Sequence, residues 1–471
     1  MTTVDRRTFL RKSSLLTGAA IIAPSLQGLI ACADATGPYD ANGVALSRGI
    51  GGRVHDRGYG PLFHSPDHPE ISIPEGFHAR LLSWTGKPMS DGHVTGNAFD
   101  GMAAFAMGSA GPARDRVRLI RNHEHRNTSN RRTLADTNAY DAQAPAGNTT
   151  LEVLVHPSGD AELVRDWVSL NGTYVNCAGG HTPWGTWISS EETVQGRNAN
   201  WSQNHGYNFE IPASAESPVV PVALREMGRF VHEAVAVDAA TGIVYQTEDR
   251  NPGGFYRFIP RVPAQLAQGG RLQILVVKGQ PRYDTRIGQA MGLVLEVEWA
   301  DVPQPDTDQP SIGSGFVYDQ VPEAARFSRL EGCWPGDGGI YFNATSGGNA
   351  GAGQVFKYVP TGPDTGELAL IYESPSTSVL NSPDNICISP RGGIVICEDG
   401  SGTCFVRGIT RTGEVFDLVR NNINTAEWAG ACFAPGGRTL FVNIQGSTDQ
   451  NNTSTPGMTF AIWGPWERGA L

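Results

Sequence analysis

Carboxylate side chains recur at one position of a repeated pattern in this sequence, and a cysteine takes that position once. Each repeat continues as a short apolar run, turns at glycine, and ends in a second apolar run followed by acidic residues. A single carboxylate at a strand end is usually a turn cap or a surface charge, but neither role predicts such recurrence. The recurring residues are Glu124, Cys177, Glu233, Glu331 and Asp384, and the closing acidic pairs are Glu191-Glu192, Glu248-Asp249 and Glu398-Asp399.

Metal binding is the chemistry that these side chains suit. Carboxylates gathered in one place repel each other and raise each other's pKa values unless cations neutralise them. Clusters of oxygen ligands favour hard ions such as calcium, whereas a thiolate favours a transition metal. With Cys177 among the carboxylates, the sequence predicts a mixed site that holds both kinds of ion.

A β-propeller is the fold that would bring such distant residues together. The apolar runs are short and bounded by glycine and proline, which is typical of strands, and strands repeated in this way indicate a propeller. Its innermost strands face one central channel, so equivalent positions converge there. Repeats that start at residues 177, 232, 331, 383 and 430 leave room for one more, containing residues 117–124 and 151–156. We expect an all-β propeller of six blades, with seven as the alternative.

Residues 36–471 are expected to form a single propeller domain. The interval from residue 232 to residue 331 is nearly double the others, which predicts an insertion of loops or short helices around residues 262–320, with a decayed blade as the alternative. Apart from Cys32, the cysteines lie inside apolar runs, and a chain of this size does not need disulfides for stability. We therefore expect most of them to be buried thiols, with disulfides between some of them left open.

Residues 1–35 carry an export signal rather than part of the fold. Arg6-Arg7 lies in a twin-arginine motif, and the apolar stretch after it is too short and too interrupted by glycine and proline to span a membrane. Residues 29–32 resemble a lipobox, in which Cys32 would carry a lipid anchor, and cleavage nearby without lipidation is the alternative. The sequence thus predicts export by the twin-arginine translocation machinery to the periplasm or the outside, with membrane anchoring left open.

Composition and missing motifs exclude several classes of protein. The chain has 36 basic and 47 acidic residues, a net charge of −11, and no cluster of lysine and arginine outside its N-terminus, so we expect no binding to nucleic acid. It has no Gly-x-Ser-x-Gly elbow, no Walker loop and no His-Glu-x-x-His motif. These absences disfavour serine hydrolases. We also expect a monomer.

Several blocks of the sequence resemble the PhoX family of alkaline phosphatases. The run from Asn176 to Trp187, which contains Cys177 and is followed by Glu191-Glu192, is similar to a family signature that is long and rich in uncommon residues. The resemblance extends from about residue 45 to the C-terminus and includes the twin-arginine signal. Further similar blocks are Asn122–Glu124, Gly228–Ala234, Arg329–Glu331 and Pro383–Asn385.

This resemblance implies a six-bladed propeller that hydrolyses phosphate monoesters of small molecules with a cluster of Fe³⁺ and Ca²⁺ ions. It implies that Cys177 is the thiolate ligand of iron and that Glu233 and Glu331 bridge iron and calcium. Arg329 would bind the phosphate group of the substrate, so that Cys177 and Arg329 are the implied catalytic residues. The remaining implied metal ligands are Glu124, Glu192, Asp384 and Asp399.

The chemistry of these residue types agrees with the implied roles. A phosphate monoester dianion repels an attacking oxygen anion, so its hydrolysis needs clustered positive charge and an activated oxygen. The arginine fork suits phosphate because it forms bidentate hydrogen bonds. Other side chains are candidates for assisting: Lys278, Arg407 and Arg420 for binding phosphate, and His181 and His232 for orienting neighbouring metal ligands.

Two other functions remain open from the sequence. Calcium-dependent propeller lactonases also use Pro-Asp-Asn turns such as Pro383–Asn385, but they bind a single calcium ion and need no cysteine ligand. A non-catalytic propeller that acts as an interaction module in the cell envelope would bind no transition metal. Iron beside calcium would therefore favour the phosphatase.

Overall fold

The computed structural model describes residues 56–111, 114–126, 133–307, 317–449 and 452–471. The predicted export signal and the predicted lipidation site at Cys32 lie outside these ranges. The described chain consists of β-strands, loops and four short 3-10 helices, so the predicted all-β class is confirmed. No helix within it has the length and apolar character that crossing a bilayer requires. The 3-10 helices are Arg197–Ala199, Arg225–Met227, Leu266–Gln268 and Trp466–Arg468.

The strands of the described chain pair with their neighbours almost entirely as antiparallel meanders. In the N-terminal half they are β1 (Leu62–His64), β2 (Ile71–Pro74), β3 (His78–Trp84), β4 (Phe99–Ser109), β5 (Asp115–His123), β6 (Ala146–Val155), β7 (Ala161–Thr173), β8 (Asn176–His181), β9 (Thr186–Glu191), β10 (Asn208–Pro212), β11 (His232–Val237), β12 (Val244–Glu248) and β13 (Phe255–Pro260). In the C-terminal half they are β14 (Gly270–Val277), β15 (Val294–Asp301), β16 (Leu330–Gly336), β17 (Gly339–Ala344), β18 (Gln354–Pro360), β19 (Thr365–Glu373), β20 (Pro383–Ile388), β21 (Ile394–Glu398), β22 (Phe405–Ile409), β23 (Val415–Asn421), β24 (Trp428–Phe433), β25 (Thr439–Ile444) and β26 (Met458–Trp463).

These strands form radial blades around a central axis, each with its first strand innermost. The innermost strands β4, β8, β11, β16, β20 and β24 contact one another in this order, and β24 contacts β4, which closes the ring. The predicted β-propeller is thereby confirmed. The blades are β4-β5-β6-β7, β8-β9-β10, β11-β12-β13-β14, β16-β17-β18-β19, β20-β21-β22-β23 and β24-β25-β26-β3.

Pairing between the two ends of the chain completes the ring. β3, near the beginning of the described chain, pairs with β26 near its end and so supplies the outermost strand of the last blade. Aromatic packing supports this closure, since the rings of Phe77 and Trp466 meet edge-on with centroids 4.8 Å apart. Closing a sheet array in this way protects its edges and fixes the innermost strands relative to one another.

The segment predicted as an insertion contributes strands to the propeller. β14 is the outermost strand of its blade, and β15 pairs with both β14 and β19, which joins two neighbouring blades into one nine-stranded sheet. Of the predicted range 262–320, residues 308–316 lie outside the described chain. The described remainder therefore extends two blades as well as forming loops between them.

Every innermost strand carries a β-bulge close to its first residue. We call the side of the propeller on which these strands begin the mouth. A bulge places an extra residue outside the hydrogen-bonded ladder and re-aims its side chain. Because the bulge recurs at the same place in each blade, one residue per blade lies at a common level around the axis. The pairing register shifts between Phe99 and Met102, Asn176 and Gly179, His232 and Val235, Leu330 and Cys333, Pro383 and Ile386, and Ala429 and Cys432.

Small residues next to the bulges let the innermost strands approach closely. A Cβ atom added to Gly101 would lie 2.6 Å from the Cα atom of Ala178, and one added to Gly332 would lie 2.6 Å from the backbone oxygen of Asp384. These residues reduce the channel to a cavity of about 20 Å³, on the order of one water molecule. A ligand of the bulge residues must therefore enter through the mouth.

The close approach of β8 and β11 predicts that Gly180→Ala destabilises the propeller. A Cβ atom at Gly180 would lie 1.9 Å from the backbone oxygen of Val235, so the two strands would have to separate. We expect a loss of about 1–3 kcal/mol or more in the free energy of unfolding, measured by denaturant titration. Gly436→Ala is the matched control, because its new Cβ atom would meet nothing nearer than 3.6 Å. Equal stability of the two variants would contradict the packing described here.

Candidate metal centre

The bulge residues form the lower level of a polar cluster at the mouth. Five blades place a metal-binding side chain there, at the position after the first paired residue of the innermost strand. In the last blade Gly430 directly follows the last pair before the register shift, and a Cβ atom there would lie 2.5 Å from the backbone oxygen of Asp100. The amide of Gly430 instead donates a hydrogen bond to Oδ1 of Asn385 (2.6 Å). The five side chains are Asp100, Cys177, Glu233, Glu331 and Asp384.

Residues that follow the second strands form an upper level of this cluster. The two residues of each acidic pair point in different directions there. The first member of a pair is turned into its own blade: Glu191 accepts a hydrogen bond from the amide of Tyr174 (2.8 Å), and Glu398 accepts one from the amide of Asn381 (2.9 Å). Successive side chains of an extended chain point to opposite sides. The second members, of which Glu192 is one, therefore face the mouth.

The structure brings all seven predicted metal ligands together. Their ligand atoms fall into four groups, and within each group the atoms lie within 4.8 Å of one another. Shared members join the groups into one continuous arc around the axis. The groups are Asp100 with Glu124 and Cys177, Cys177 with Glu192 and Glu233, Glu233 with Glu331 and Asp384, and Asp384 with Asp399 and Glu427.

Two members of the arc, Asp100 and Glu427, were missed by the sequence reasoning. Asp100 occupies the same bulge position as Glu331, and each is followed by glycine, so aligning Asp100-Gly101 with the repeats could have identified it. Glu427 lies immediately before β24 and outside the repeated position, so the repeat gives no signal for it.

Burial makes this cluster unfavourable without cations. Burial, followed by the charge of neighbouring Asp384, raises the pKa of Glu233 well above its ordinary value. Burial and the charge of Asp100 raise the pKa of the Cys177 thiol in the same way. Burial and a neighbouring carboxylate raise the pKa of Asp384 to about 8. The ionised forms, which are the metal-binding forms, therefore need positive charge beside them.

Glu233 shows that the residues present fit a metal cluster. Both carboxylate oxygens of this fully buried side chain lack a hydrogen-bond partner. A buried carboxylate is rarely left so unless it is paired or binds a metal. The donor set agrees, because eight carboxylates supply the oxygen ligands that calcium prefers and Cys177 supplies one soft ligand for a transition metal.

Two arginines stand at the mouth above the carboxylates. Arg329, which the sequence predicts, donates from Nε and Nη2 to the two carboxylate oxygens of Asp249 (2.8 and 2.9 Å) and from Nη2 to Glu331 (3.0 Å). Arg126, which the sequence reasoning missed because no motif marks it, forms ion pairs with Glu124 and Glu192. Both side chains remain nearly half exposed, so their guanidinium groups can also meet a ligand from solvent.

The other basic candidates for binding phosphate lie elsewhere, so those predictions were wrong. Lys278 pairs with Glu296 on an exposed outer strand (3.3 Å). Arg407 is turned into its blade, where it donates to Glu398 (2.8 Å). Arg420 is exposed on the outer strand β23.

The two histidines suggested as orienting groups pack against other residues. The ring of His232 is 3.0 Å from the backbone oxygen of Gly228 and stacks on Phe230. The ring of His181 lies against Trp334, with centroids 4.7 Å apart, beyond the bulge level. Strand alternation explains the position of His232, because a residue next to a ligand along a strand points away from it. His181 lies four residues after Cys177, at the end of β8 away from the mouth.

A closed β-propeller with this arc of carboxylates and one thiol at its mouth is a metal-binding propeller. Comparison with known proteins makes the class specific: the model of the family described as alkaline phosphatase PhoX matches residues 57–447. The chain belongs to this family. The predicted family and the predicted metal-dependent phosphatase activity are thereby confirmed, and the enzymes of this family are exported to the periplasm or the outside.

Two solved structures are similar to this chain, and the first of them agrees with its fold. Pseudomonas fluorescens PhoX in complex with vanadate, a transition state analogue, is 20% identical, and the match covers 89% of this chain and 99% of that chain with a TM-score of 0.64. The gluconolactonase XC5397 from Xanthomonas campestris is 12% identical, with 87% and 99% coverage and a TM-score of 0.38. A search of curated protein sequences found no significant match.

The raised pKa values predict how metal removal changes the pH dependence of stability. The pKa of Asp384 is raised from 3.8 to about 8 in the folded chain, so the folded state binds this proton more tightly than the unfolded state. Its contribution to stability is fully present below pH 3.8 and is lost as the pH rises through about 8. After chelation, the free energy of unfolding should therefore fall across this range, as measured by denaturant titration.

Bound cations should suppress that fall, because they replace the protons in compensating the carboxylates. The control is the same protein titrated after metal ions have been restored. A pH dependence that is identical with and without metal ions would contradict the assignment of these carboxylates to a metal centre.

Proposed function

We propose that this protein hydrolyses phosphate monoesters of small molecules at a mixed iron and calcium cluster held at the mouth of the propeller. The observation that supports it best is the position of the single thiol of Cys177 within an arc of mostly buried carboxylates, beside Glu233 whose oxygens lack hydrogen-bond partners. Oxygen ligands suit Ca²⁺, and the thiolate suits Fe³⁺.

The arrangement of the arc suggests a role for each ligand. Cys177 would hold iron through its thiolate, and Glu233, which shares one group with Cys177 and another with Glu331, would hold two ions. Glu331 would be the second carboxylate shared between ions. The proposed calcium ligands are Asp100, Glu124, Glu192, Asp384, Asp399 and Glu427.

The arginines and the shape of the mouth account for substrate binding. The bound ions supply the positive charge that a phosphate dianion needs and activate the attacking oxygen. Arg329 would offer its Nη1 donors to the phosphate oxygens, while Asp249 fixes its orientation by hydrogen bonds from Nε and Nη2. Arg126 contributes a second guanidinium group. It pairs with Glu192, which is next to Asp249, the partner of Arg329. Because the channel is blocked below, substrate and product both use the mouth.

The twin-arginine motif at Arg6-Arg7 supports export in the folded state, which suits a protein whose metal cluster is assembled in its fold. We propose that the protein uses the twin-arginine machinery, functions as a monomer, and is either lipidated at Cys32 or cleaved nearby. Mass spectrometry of the mature N-terminus would distinguish these two products.

Cys177→Ala should abolish iron binding and phosphatase activity while the propeller remains folded. The loss follows because no other thiol belongs to the four ligand groups. Iron and calcium are measured by elemental analysis, and activity with p-nitrophenyl phosphate. Cys333→Ala is the matched control, since this thiol is also buried on an innermost strand but is packed among apolar side chains. Full activity of Cys177→Ala would contradict the proposal, and calcium without iron in the unaltered protein would favour a lactonase-type enzyme.

Arg329→Lys should weaken substrate binding without removing the metal ions. Lysine keeps the charge but loses the bidentate fork, so we expect KM to rise about tenfold and kcat/KM to fall by about 10²-fold, as for removal of one preorganised donor. Arg126→Lys should show a smaller effect in the same direction. Lys278→Ala is the control for a surface cation and should leave both constants unchanged. Unchanged kinetics in Arg329→Lys would exclude this residue from phosphate binding.

A further inference from the structure

A buried asparagine ties the blade before Cys177 to the bulge that carries this residue. Asn122 lies on β5, and its Nδ2 donates hydrogen bonds to the backbone oxygens of Cys177 (3.0 Å) and Ala178 (2.6 Å) on β8. Its Oδ1 accepts hydrogen bonds from Nε1 of Trp187 (2.9 Å) and Oγ of Ser189 (3.0 Å). These donors fix the orientation of the amide, because only its nitrogen can face the bulge.

Two more asparagines make the same kind of contact in other blades. Asn343 on β17 donates from Nδ2 to the backbone oxygens of Pro383 (2.8 Å) and Asp384 (2.6 Å) on the next innermost strand. Asn443 on β25 donates from Nδ2 to the backbone oxygen of Asp100 (2.8 Å). All three asparagines are fully buried. In each case the second strand of one blade holds the bulge of the following blade.

A threonine makes the equivalent contact where an asparagine is absent. Oγ1 of Thr247 on β12 donates to the backbone oxygen of Glu331 (2.6 Å). Thr247, Asn122 and Asn343 each directly precede the residue that pairs with the first residue of the innermost strand. Four of the ligand-bearing bulges are thus held from the neighbouring blade by a hydrogen-bond donor.

The bulge explains why these donors are needed. It removes backbone carbonyls from the ladder, and a buried carbonyl without a partner is costly. The carboxylates that the bulges carry also repel one another and so tend to push the innermost strands apart. A donor from the adjacent blade satisfies the carbonyl and, at the same time, fixes the distance between two ligand-bearing strands.

We propose that Asn122, Asn343 and Asn443 are positioning residues for the metal cluster, each setting the bulge whose side chain binds an ion. This inference rests on the proposed metal-dependent function. The inference predicts which ion each asparagine affects. Asn122 positions the proposed iron ligand Cys177, whereas Asn343 positions the proposed calcium ligand Asp384. Loss of a residue that orients a metal ligand typically lowers metal affinity about 10–100-fold.

The test compares Asn122→Ala and Asn343→Ala with a matched control, Asn171→Ala. Asn171 is equally buried and donates from Nδ2 to the backbone oxygens of Ala135 (2.7 Å) and Thr137 (2.9 Å), but it lies on the outermost strand β7. Each variant therefore loses two amide-to-carbonyl hydrogen bonds, and only in the first two do these bonds reach a bulge that carries a proposed metal ligand. Asn343→Thr is the rescue variant, because the chain itself uses threonine at this position in another blade.

Metal content, calcium affinity and the visible absorption of the iron–thiolate bond are measured for each purified protein. Asn122→Ala should lose iron and this absorption, and Asn343→Ala should bind calcium at least tenfold more weakly, with Asn343→Thr restoring most of the affinity. Asn171→Ala should lower the unfolding temperature and keep its metal content. Wild-type metal content and spectrum in both test variants, or equal metal loss in Asn171→Ala, would overturn the positioning role.

Failure of the proposed function would look different. If the unaltered protein holds calcium but no iron, the mixed cluster is wrong, while the calcium affinity of Asn343→Ala still decides the positioning role. If the unaltered protein binds neither ion, both the proposed function and the positioning role are overturned.

Discussion

Mutual repulsion between buried carboxylates is the constraint on which the other features of this structure depend. Two unit charges about 5 Å apart repel by about 3 kcal/mol at an effective dielectric constant of about 20, and the mouth gathers eight carboxylates at such distances. The closed ring resists this repulsion, because moving one innermost strand outward would break its packing against both neighbours. Bound cations turn the same repulsion into a driving force for metal binding, since each ion compensates several carboxylates at once.

The sequence predicts the parts of this centre that belong to the repeat. Cys177, Glu233, Glu331 and Asp384 were found because each precedes an apolar run and a glycine turn, and the structure explains the pattern: each occupies the bulge of an innermost strand. Asp100 was missed because the expected extra blade was assembled from residues 117–124 and 151–156. In the structure these residues lie in and next to β5 and β6, the second and third strands of that blade. Its innermost strand is β4, which the sequence pattern does not reveal.

Other parts depend on which side of a strand a residue takes and on contacts between distant segments. Glu191 and Glu192 look alike in sequence, but Glu191 accepts a hydrogen bond from the backbone just before β8, whereas Glu192 faces the mouth. A one-residue change of register would exchange these two orientations. The role of Arg407 was misjudged for the same reason, since its partner is Glu398 inside the blade. Arg126 and Glu427 lie just outside strands, where no repeat position marks them.

The charges at the mouth impose an order on binding. Arg126 and Arg329 are already engaged by Glu124, Glu192, Asp249 and Glu331, so on their own they do not offset eight carboxylates. A phosphate dianion approaching the chain without metal ions would meet net negative charge and be repelled. Under the proposed function, ions bound to the carboxylates would reverse the local sign and relieve the demand on both guanidinium groups, so that their donors could face phosphate. Substrate binding would then depend on metal binding, and the enzyme would select an anion with a site built mainly from anionic side chains.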